Sequence, residues 1–239
     1  MKGFNDMKGQ KFAVIIIGPP GAGKGTQAEL LAEKINLYYF ETARVLEKSW
    51  TNAKKSDYIE IDDGEKFYLL DEKKLFDKGI ICSPPFVSFV VKKKIKELAE
   101  QNKNIILAGS PRTLHEGKQL MPFLIDLYRA ENILVLELKI SNKQAIWRNT
   151  RRKLCSKCRY PVPFTKETQK LKECPKCGGK LVTRTLDKED IVKVRLKQYT
   201  GRTYPLFKYF KEIGIIVKEI NGEQSIEDVF KDILKAMER

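Results

Sequence analysis

The feature that most constrains this chain is the run Gly18-Pro19-Pro20-Gly21-Ala22-Gly23-Lys24-Gly25-Thr26, which joins the apolar stretch FAVIII to a segment of helical period beginning QAELLAEK. A strand that ends in glycines and passes straight into a helix turns its backbone N–H groups inward. Glycine lets that backbone approach an oxyanion closely, and the helix points its positive end at the same charge. Lys24 adds a mobile cation for terminal phosphates. The usual pattern places Ser or Thr directly after the lysine; here Gly25 stands there, with Thr26 next. A glycine-rich turn without a ligand is the plainer alternative, and the agreement of strand, glycines, lysine and helix argues for a phosphate.

Around this turn, short β-branched runs alternate with longer stretches of helical period, the rhythm of βαβ units and a mostly parallel sheet. Strands are expected at Phe12 to Ile17, Tyr38 to Phe40, Asn104 to Ala108, Ile133 to Ile140 and Ile215 to Ile220. Their near-continuous apolar character suits strands covered on both faces. Helices are expected at about Lys24 to Ile35, Glu65 to Lys78, Pro85 to Gln101, Leu114 to Tyr128, Asn142 to Arg151, Lys188 to Lys211 and Ser225 to Met237. The polar stretch Ser49 to Glu65 reads as an extended loop or short hairpin.

The pattern fails from Leu154 to Thr185, a segment with paired Cys, Pro and Gly and little periodicity. Cys155-x-x-Cys158 and Cys174-x-x-Cys177-Gly178-Gly179 give two knuckles of two thiolates each, enough to complete a tetrahedron around Zn²⁺. Four protein ligands leave no open position, so the expected zinc is structural and replaces a core this segment is too small to build. A redox dithiol pair and a ribbon that contacts nucleic acid are the competing readings. The fifth cysteine, Cys82, follows Ile80-Ile81 and reads as a small buried residue.

With 239 residues and 42% hydrophobic content, one α/β core with insertions is the expectation. No apolar run reaches the roughly 18 residues of a membrane span, and the opening MKGFNDMKGQ lacks the apolar stretch of a secretory leader. Cysteine usage fits a reducing compartment, so the cytoplasm is expected, with no membrane partner. The net charge of +15 attracts polyanions. No aromatic-interleaved basic patch or base-reading helix stands out, so nucleic acid is not the favoured partner.

The variant G-x-P-G-x-G-K-G-T-Q resembles the adenylate kinase family of nucleoside monophosphate kinases, and the likeness runs over nearly the whole chain. Gly109-Ser110-Pro111-Arg112-Thr113 is similar to the family's G-F-P-R-T. Arg148 and Arg152 resemble the pair at the lid entrance, and Arg184 and Arg195 the two arginines that close over both substrates. Tyr204-Pro205-Leu206 and Asn221-Gly222 resemble the closing helix and last loop. The resemblance implies a P-loop-type five-stranded parallel sheet flanked by helices, with an acceptor-binding helical insertion over 42–83 and a zinc-ribbon lid over 152–186, the core being 10–41, 84–151 and 187–239. It implies ATP, carried with Mg²⁺, held by Gly21, Ala22, Gly23, Lys24, Gly25, Thr26, Arg148, Arg152 and the backbone near Gln224. A nucleoside monophosphate would meet Thr42, Ile80, Ile81, Cys82, Gly109, Arg112, Glu116, Arg184 and Arg195. The catalytic set would be Lys24, Arg112, Arg148, Arg152, Arg184 and Arg195, and the protein a monomer. Planar, bidentate guanidinium groups suit a transition state that spreads charge over equatorial oxygens.

Several positions depart from the family pattern, among them Ser110 in place of its Phe and the lid's R-x-D-D, which reads Arg184-Thr185-Leu186-Asp187 and keeps one acid of two. The family's T-G-D-M-L-R reads Thr42-Ala43-Arg44-Val45-Leu46-Glu47, so a phosphate-binding arginine becomes Glu47. The aspartate before G-F-P-R-T, which would hold water on Mg²⁺, is Ala108. The glutamine that reads adenine is Glu116, an acceptor-only group that suits guanine's N1 and N2 hydrogens or cytosine's amine; a solvated glutamate at a helix start is its plainer role. His115 beside it is expected in a surface turn. The expectation is therefore reversible phosphoryl transfer from ATP to a monophosphate, AMP favoured over GMP or CMP. A nucleotide- and zinc-binding pseudo-enzyme and a nucleic-acid-associated ATPase remain as alternatives.

Overall fold

A computed structural model describes residues 11–238. The opening MKGFNDMKGQ considered above lies outside them. In chain order the elements are β1 (Ala13–Ile17), α1 (Lys24–Ile35), β2 (Tyr38–Glu41), α2 (Thr42–Ser49), β3 (Tyr58–Glu60), β4 (Lys66–Tyr68), α3 (Leu69–Asp77), α4 (Pro84–Glu100), β5 (Ile105–Ala108), α5 (Leu114–Tyr128), β6 (Ile133–Lys139), α6 (Asn142–Arg151), β7 (Lys153–Cys155), β8 (Pro161–Val162), β9 (Leu181–Val182), α7 (Glu189–Gln198), α8 (Pro205–Glu212), β10 (Val217–Asn221) and α9 (Ile226–Met237).

The five expected strands form one parallel sheet in the order β10-β6-β1-β5-β2. Every residue of β1 is buried, because helices cover both sheet faces. Val14 and Ile16 pack with Leu31 of α1 and Ile233 of α9 on one face; Ala13, Ile15 and Ile17 pack with Phe86 of α4, Leu124 of α5 and Phe210 of α8 on the other. The chain leaves β1 toward β5 and β2 on one side and returns to β6 on the other. A crevice therefore opens at the carboxyl end of β1, where α/β sheets bind ligands.

Two small antiparallel sheets stand apart from this layer. In the first, β3 pairs with β4, Ile59 facing Phe67 and Tyr58 facing Tyr68. Phe67 turns inward against Phe86, ring centroids 6.1 Å apart. Residues 66–68 thus become strand rather than the start of the helix expected from Glu65, which begins at Leu69. In the second, β8-β7-β9 frames the cysteine segment.

Two further differences concern helices. Thr42–Ser49 forms α2, a short helix absent from the expected ones, which follows β2 directly and buries Thr42, Ala43 and Leu46 on one face. The single helix expected over Lys188 to Lys211 is broken at Tyr199–Thr203 by a π turn, in which the N–H of Tyr204 reaches the carbonyl of Tyr199 at 2.9 Å. Pro205 then opens α8, where its missing N–H costs nothing. Among the described residues, no helix is long and apolar enough to cross a membrane.

Candidate active site

The crevice is built first by the turn after β1. Gly21 has φ 84°, and a Cβ there would lie 2.4 Å from Nδ2 of Asn149 and 2.9 Å from the carbonyl of Ala145, so α6 can wedge against the turn only because the position is glycine. Helix α1 starts with no side-chain cap and no acid in its first turn. Its free N–H groups are left to an external anion. Nζ of Lys24 folds back onto the carbonyls of Gly18 and Pro19 at 2.7 and 2.8 Å. Burial, then the charges of Arg112, Arg195 and Arg152, hold its pKa well below the usual lysine value. An ammonium that desolvated, among guanidiniums, is poised to gain from any polyanion.

The cations converge from several elements onto one cleft of about 210 Å³. Lys24 comes from the turn, Arg44 from α2, Arg112 from the loop after β5, Arg152 from the end of α6, Arg159 and Arg184 from the cysteine segment, and Arg195 from α7. Against these seven, two carboxylates among the described residues line the cleft, Glu29 and Glu41. Burial, followed by Arg152 and Arg184, presses the pKa of Arg195 down to about 9, and burial then Arg152 lowers that of Arg184.

Asp187 supplies a counter-charge to this cluster. Only 2% of that side chain is exposed; it accepts from Nε and Nη2 of Arg152 at 2.7 and 2.6 Å and lies 3.5 Å from Arg195. The carbonyl of Leu186 takes a further hydrogen bond from Arg195 at 3.0 Å. On the opposite wall, the π turn aims Thr203, whose Oγ1 donates to the carbonyl of Arg112 at 2.7 Å.

The cysteine segment lies over this cleft, contributing Leu154, Arg159, Pro161 and Arg184 to its lining. It is fastened at both sides. Lys176 contacts Glu29 and Glu33 of α1 at 2.5 and 3.4 Å. Arg159 contacts Glu47 of α2 at 2.7 Å, Arg184 reaches the same carboxylate at 3.5 Å, and the Arg184 guanidinium rests over the ring of Phe76. Glu47 thus faces lid arginines rather than a bare cleft, and its charge is met.

The four ligand sulfurs, of Cys155, Cys158, Cys174 and Cys177, lie within 4.8 Å of one another. The Sγ pairs Cys155–Cys177 and Cys158–Cys174 are 3.5 and 3.6 Å apart, close to the edge of a tetrahedron with roughly 2.3 Å Zn–S bonds. The N–H groups of Lys157 and Cys158 point at Cys155 Sγ, and that of Lys176 at Cys174 Sγ, each at 3.4 Å. A Cβ on Gly179 would lie 2.9 Å from Cys155 Sγ, which explains the second glycine of the CGG run. The donor set fits a structural Zn²⁺.

Not every expected residue reaches the cleft. Gly21, Gly23, Gly25, Thr26, Ile80, Ile81 and Gly109 line it, and Thr42 lies beside Gly109 with a buried, unpartnered hydroxyl. Ala22 is buried beneath the turn and Cys82 beneath Ile81, both outside the lining. Arg148 is half-buried and outside the lining; burial lowers its pKa and the charge of Glu223 opposes the shift. Gln224 Nε2 is held by the Asn221 carbonyl and Asp232. Glu116 departs most from expectation: it is fully buried, neither solvated nor facing the cleft. Its oxygens accept from the N–H of Arg112 at 2.9 Å and from Thr113 Oγ1 at 3.2 Å, while the N–H of Glu116 donates to Thr113 Oγ1, the N-cap of α5. Those bonds occupy the carboxylate and fix the backbone that carries Arg112. Arg44, Arg159 and Glu41 were not among the expected site residues: Arg44 stands where the family motif has an aspartate, and Glu41 and Arg159 flank motifs without belonging to them.

The model of the adenylate kinase family matches residues 16–215. The chain belongs to the adenylate kinase family. It is 32% identical to the adenylate kinase of Caldicellulosiruptor saccharolyticus over 227 residues, covering 94% of this chain and 98% of the relative. It is 31% identical to that of Clostridium botulinum, with 95% and 98% covered, and 33% identical to that of Chlamydia pneumoniae, with 96% and 98% covered. A phosphotransferase of this family needs a phosphate-binding turn, a convergent set of cations and a moving cover, and the cleft described above has the residues for all three.

Proposed function

We propose that this chain reversibly transfers the terminal phosphoryl group of ATP to a nucleoside monophosphate, with AMP as the favoured acceptor and GMP and CMP as its rivals. The observation that carries the reading is the convergence of seven cations on one cleft, which the lining Glu41 together with Asp187 and Glu47 beside them offsets only in part. Amides from Gly21 to Thr26 and the ammonium of Lys24 hold the donor's polyphosphate. Arg112, fixed by Glu116 and Thr203, faces the acceptor's phosphate. Arg152, Arg184 and Arg195 meet the oxygens between them, where charge develops during transfer. Mg²⁺ arriving with ATP would neutralise part of that charge, and zinc on the four cysteines would only shape the lid.

The cleft volume of about 210 Å³ is smaller than the roughly 300 Å³ or more of ordinary ligand pockets, so the lid must lift for substrates to enter. Closing it again brings Arg184 down and expels water that would otherwise accept the phosphoryl group. The ion pairs of Glu47 with Arg159 and Arg184 remove the repulsion that would have argued for an inactive relative. The discrimination between AMP and its rivals through Glu116 loses its basis, since that carboxylate is occupied, and AMP rests on the family. We place the protein in the cytoplasm as a monomer. A coupled assay for ADP with ATP and each of AMP, GMP, CMP and UMP tests the proposal: turnover with AMP first is expected, and no ADP from any acceptor refutes it.

A further inference from the structure

A carboxylate facing a phosphate site weakens it unless it serves a cation. Glu29, one of the two that line the cleft, is taken by the lid's Lys176. Glu41 is the other. It ends β2 and stands in register with Ala108, the end of β5. Preceding pairs fix the faces: Phe40 and Leu107 belong to the core on the α4 side, Tyr39 and Ile106 to that on the α1 side. By alternation Glu41 and Ala108 lie one step further along the strand ends, at the mouth of the phosphate turn that both line. Tyr39 is near enough to the start of α1 that a Cβ on Gly25 would lie 3.1 Å from its hydroxyl. Burial, followed by the charges of Glu41 and Glu29, raises the pKa of that hydroxyl, which places both carboxylates close to the turn. The Glu41 side chain is 27% exposed, and its protein partner is Arg44 at 2.5 Å.

Mg²⁺ keeps several waters and is held by one or two carboxylates together with substrate phosphates. Ala108 has no side-chain oxygen to offer, and Glu41, its register partner on the neighbouring strand end, does. We infer that Glu41 is the positioning residue for the divalent ion that accompanies the nucleotide, accepting hydrogen bonds from the ion's water shell across the strand end that Ala108 leaves bare. The inference rests on the proposed binding of ATP at the turn.

The test is the Mn²⁺ dissociation constant of the ATP-saturated protein, read from the signal of free Mn²⁺ in electron paramagnetic resonance, beside ATP affinity in metal-free buffer. Glu41→Gln should weaken Mn²⁺ by about ten-fold. It should leave metal-free ATP bound as tightly or more tightly, since a negative charge near the phosphates is gone; a folding defect would weaken both. Arg44→Ala, which frees Glu41 of its ion-pair partner, should bind Mn²⁺ as tightly or more tightly, and Ala108→Asp placed in Glu41→Gln should restore the affinity. Wild-type Mn²⁺ affinity in Glu41→Gln, or an equal loss in Arg44→Ala, overturns the inference while ATP binding stands. A wild-type chain that binds no ATP in either buffer overturns the inference together with the function beneath it.

Discussion

Replacing Asp187 by Asn would leave the shape of the site intact and remove the charge that holds its arginines together. In the wild type, that carboxylate accepts two charge-assisted bonds from Arg152 and lies 3.5 Å from Arg195. Each such bond contributes about 1.5–3 kcal/mol when well shielded. The Arg152 side chain is 25% exposed and the amide oxygen of Asn still accepts one bond, so the net loss is about 2 kcal/mol. For a chain of this length that lowers the melting temperature by roughly 4–8 °C. Saturating ATP supplies negative charge to the same arginines, so the deficit against wild type should shrink. Turnover should nonetheless fall by about a hundred-fold, because Arg152 and Arg195 lose their fixed aim. Thermal unfolding with and without ATP, beside initial rates, reads all three. An unchanged melting temperature, or a deficit just as large with ATP bound, would refute the role of Asp187 as the counter-charge of Arg152 and Arg195.

Three further outcomes follow from the same structure. A double-mutant cycle of Glu47→Ala with Arg159→Ala, read by energy transfer between dyes on the lid and core, should return a coupling of about 1 kcal/mol toward closure that weakens with salt. Cys155→Ser should lose stoichiometric zinc in atomic absorption and expose residues 153–182 to protease, while the circular dichroism of the parallel sheet and its helices persists. Glu137, buried in β6, has a pKa raised by burial first, so its ionised form is disfavoured in the fold and its stabilising contribution is lost as pH rises above the ordinary carboxylate value. Glu137→Gln should therefore raise the melting temperature at pH 7 and leave it unchanged at about pH 4, where folded and unfolded chains both hold the proton.

What the sequence made readable was whatever local chemistry determines by itself. The turn from Gly18 to Thr26 and the two cysteine knuckles need particular residues at fixed spacing, and the central strands are apolar throughout because both their faces are covered. What escaped it depends on contacts between distant segments. Residues 66–68 are extended because β3 lies beside them, and the short α2, which follows β2 without a loop, is held by the burial of Ala43 and Leu46. Arg159 has φ 62° and follows a zinc knuckle, yet its place is set by Glu47, 112 positions away in the chain. Glu116 stands in a T-x-x-E run at a helix start, where spacing alone does not distinguish a group bonded to the local turn from one that faces a ligand; its burial and its bonds to Arg112 and Thr113 are visible only in the fold.

The function proposed above requires that the main-chain amides and the lysine of the turn after β1 wrap the polyphosphate of ATP. Titration calorimetry of ATP into wild type and Lys24→Ala tests this most directly. A ten- to hundred-fold loss of affinity is expected in the variant, the worth of about 1.5–3 kcal/mol for a buried charged hydrogen-bond donor. Equal affinities for the two chains would contradict it.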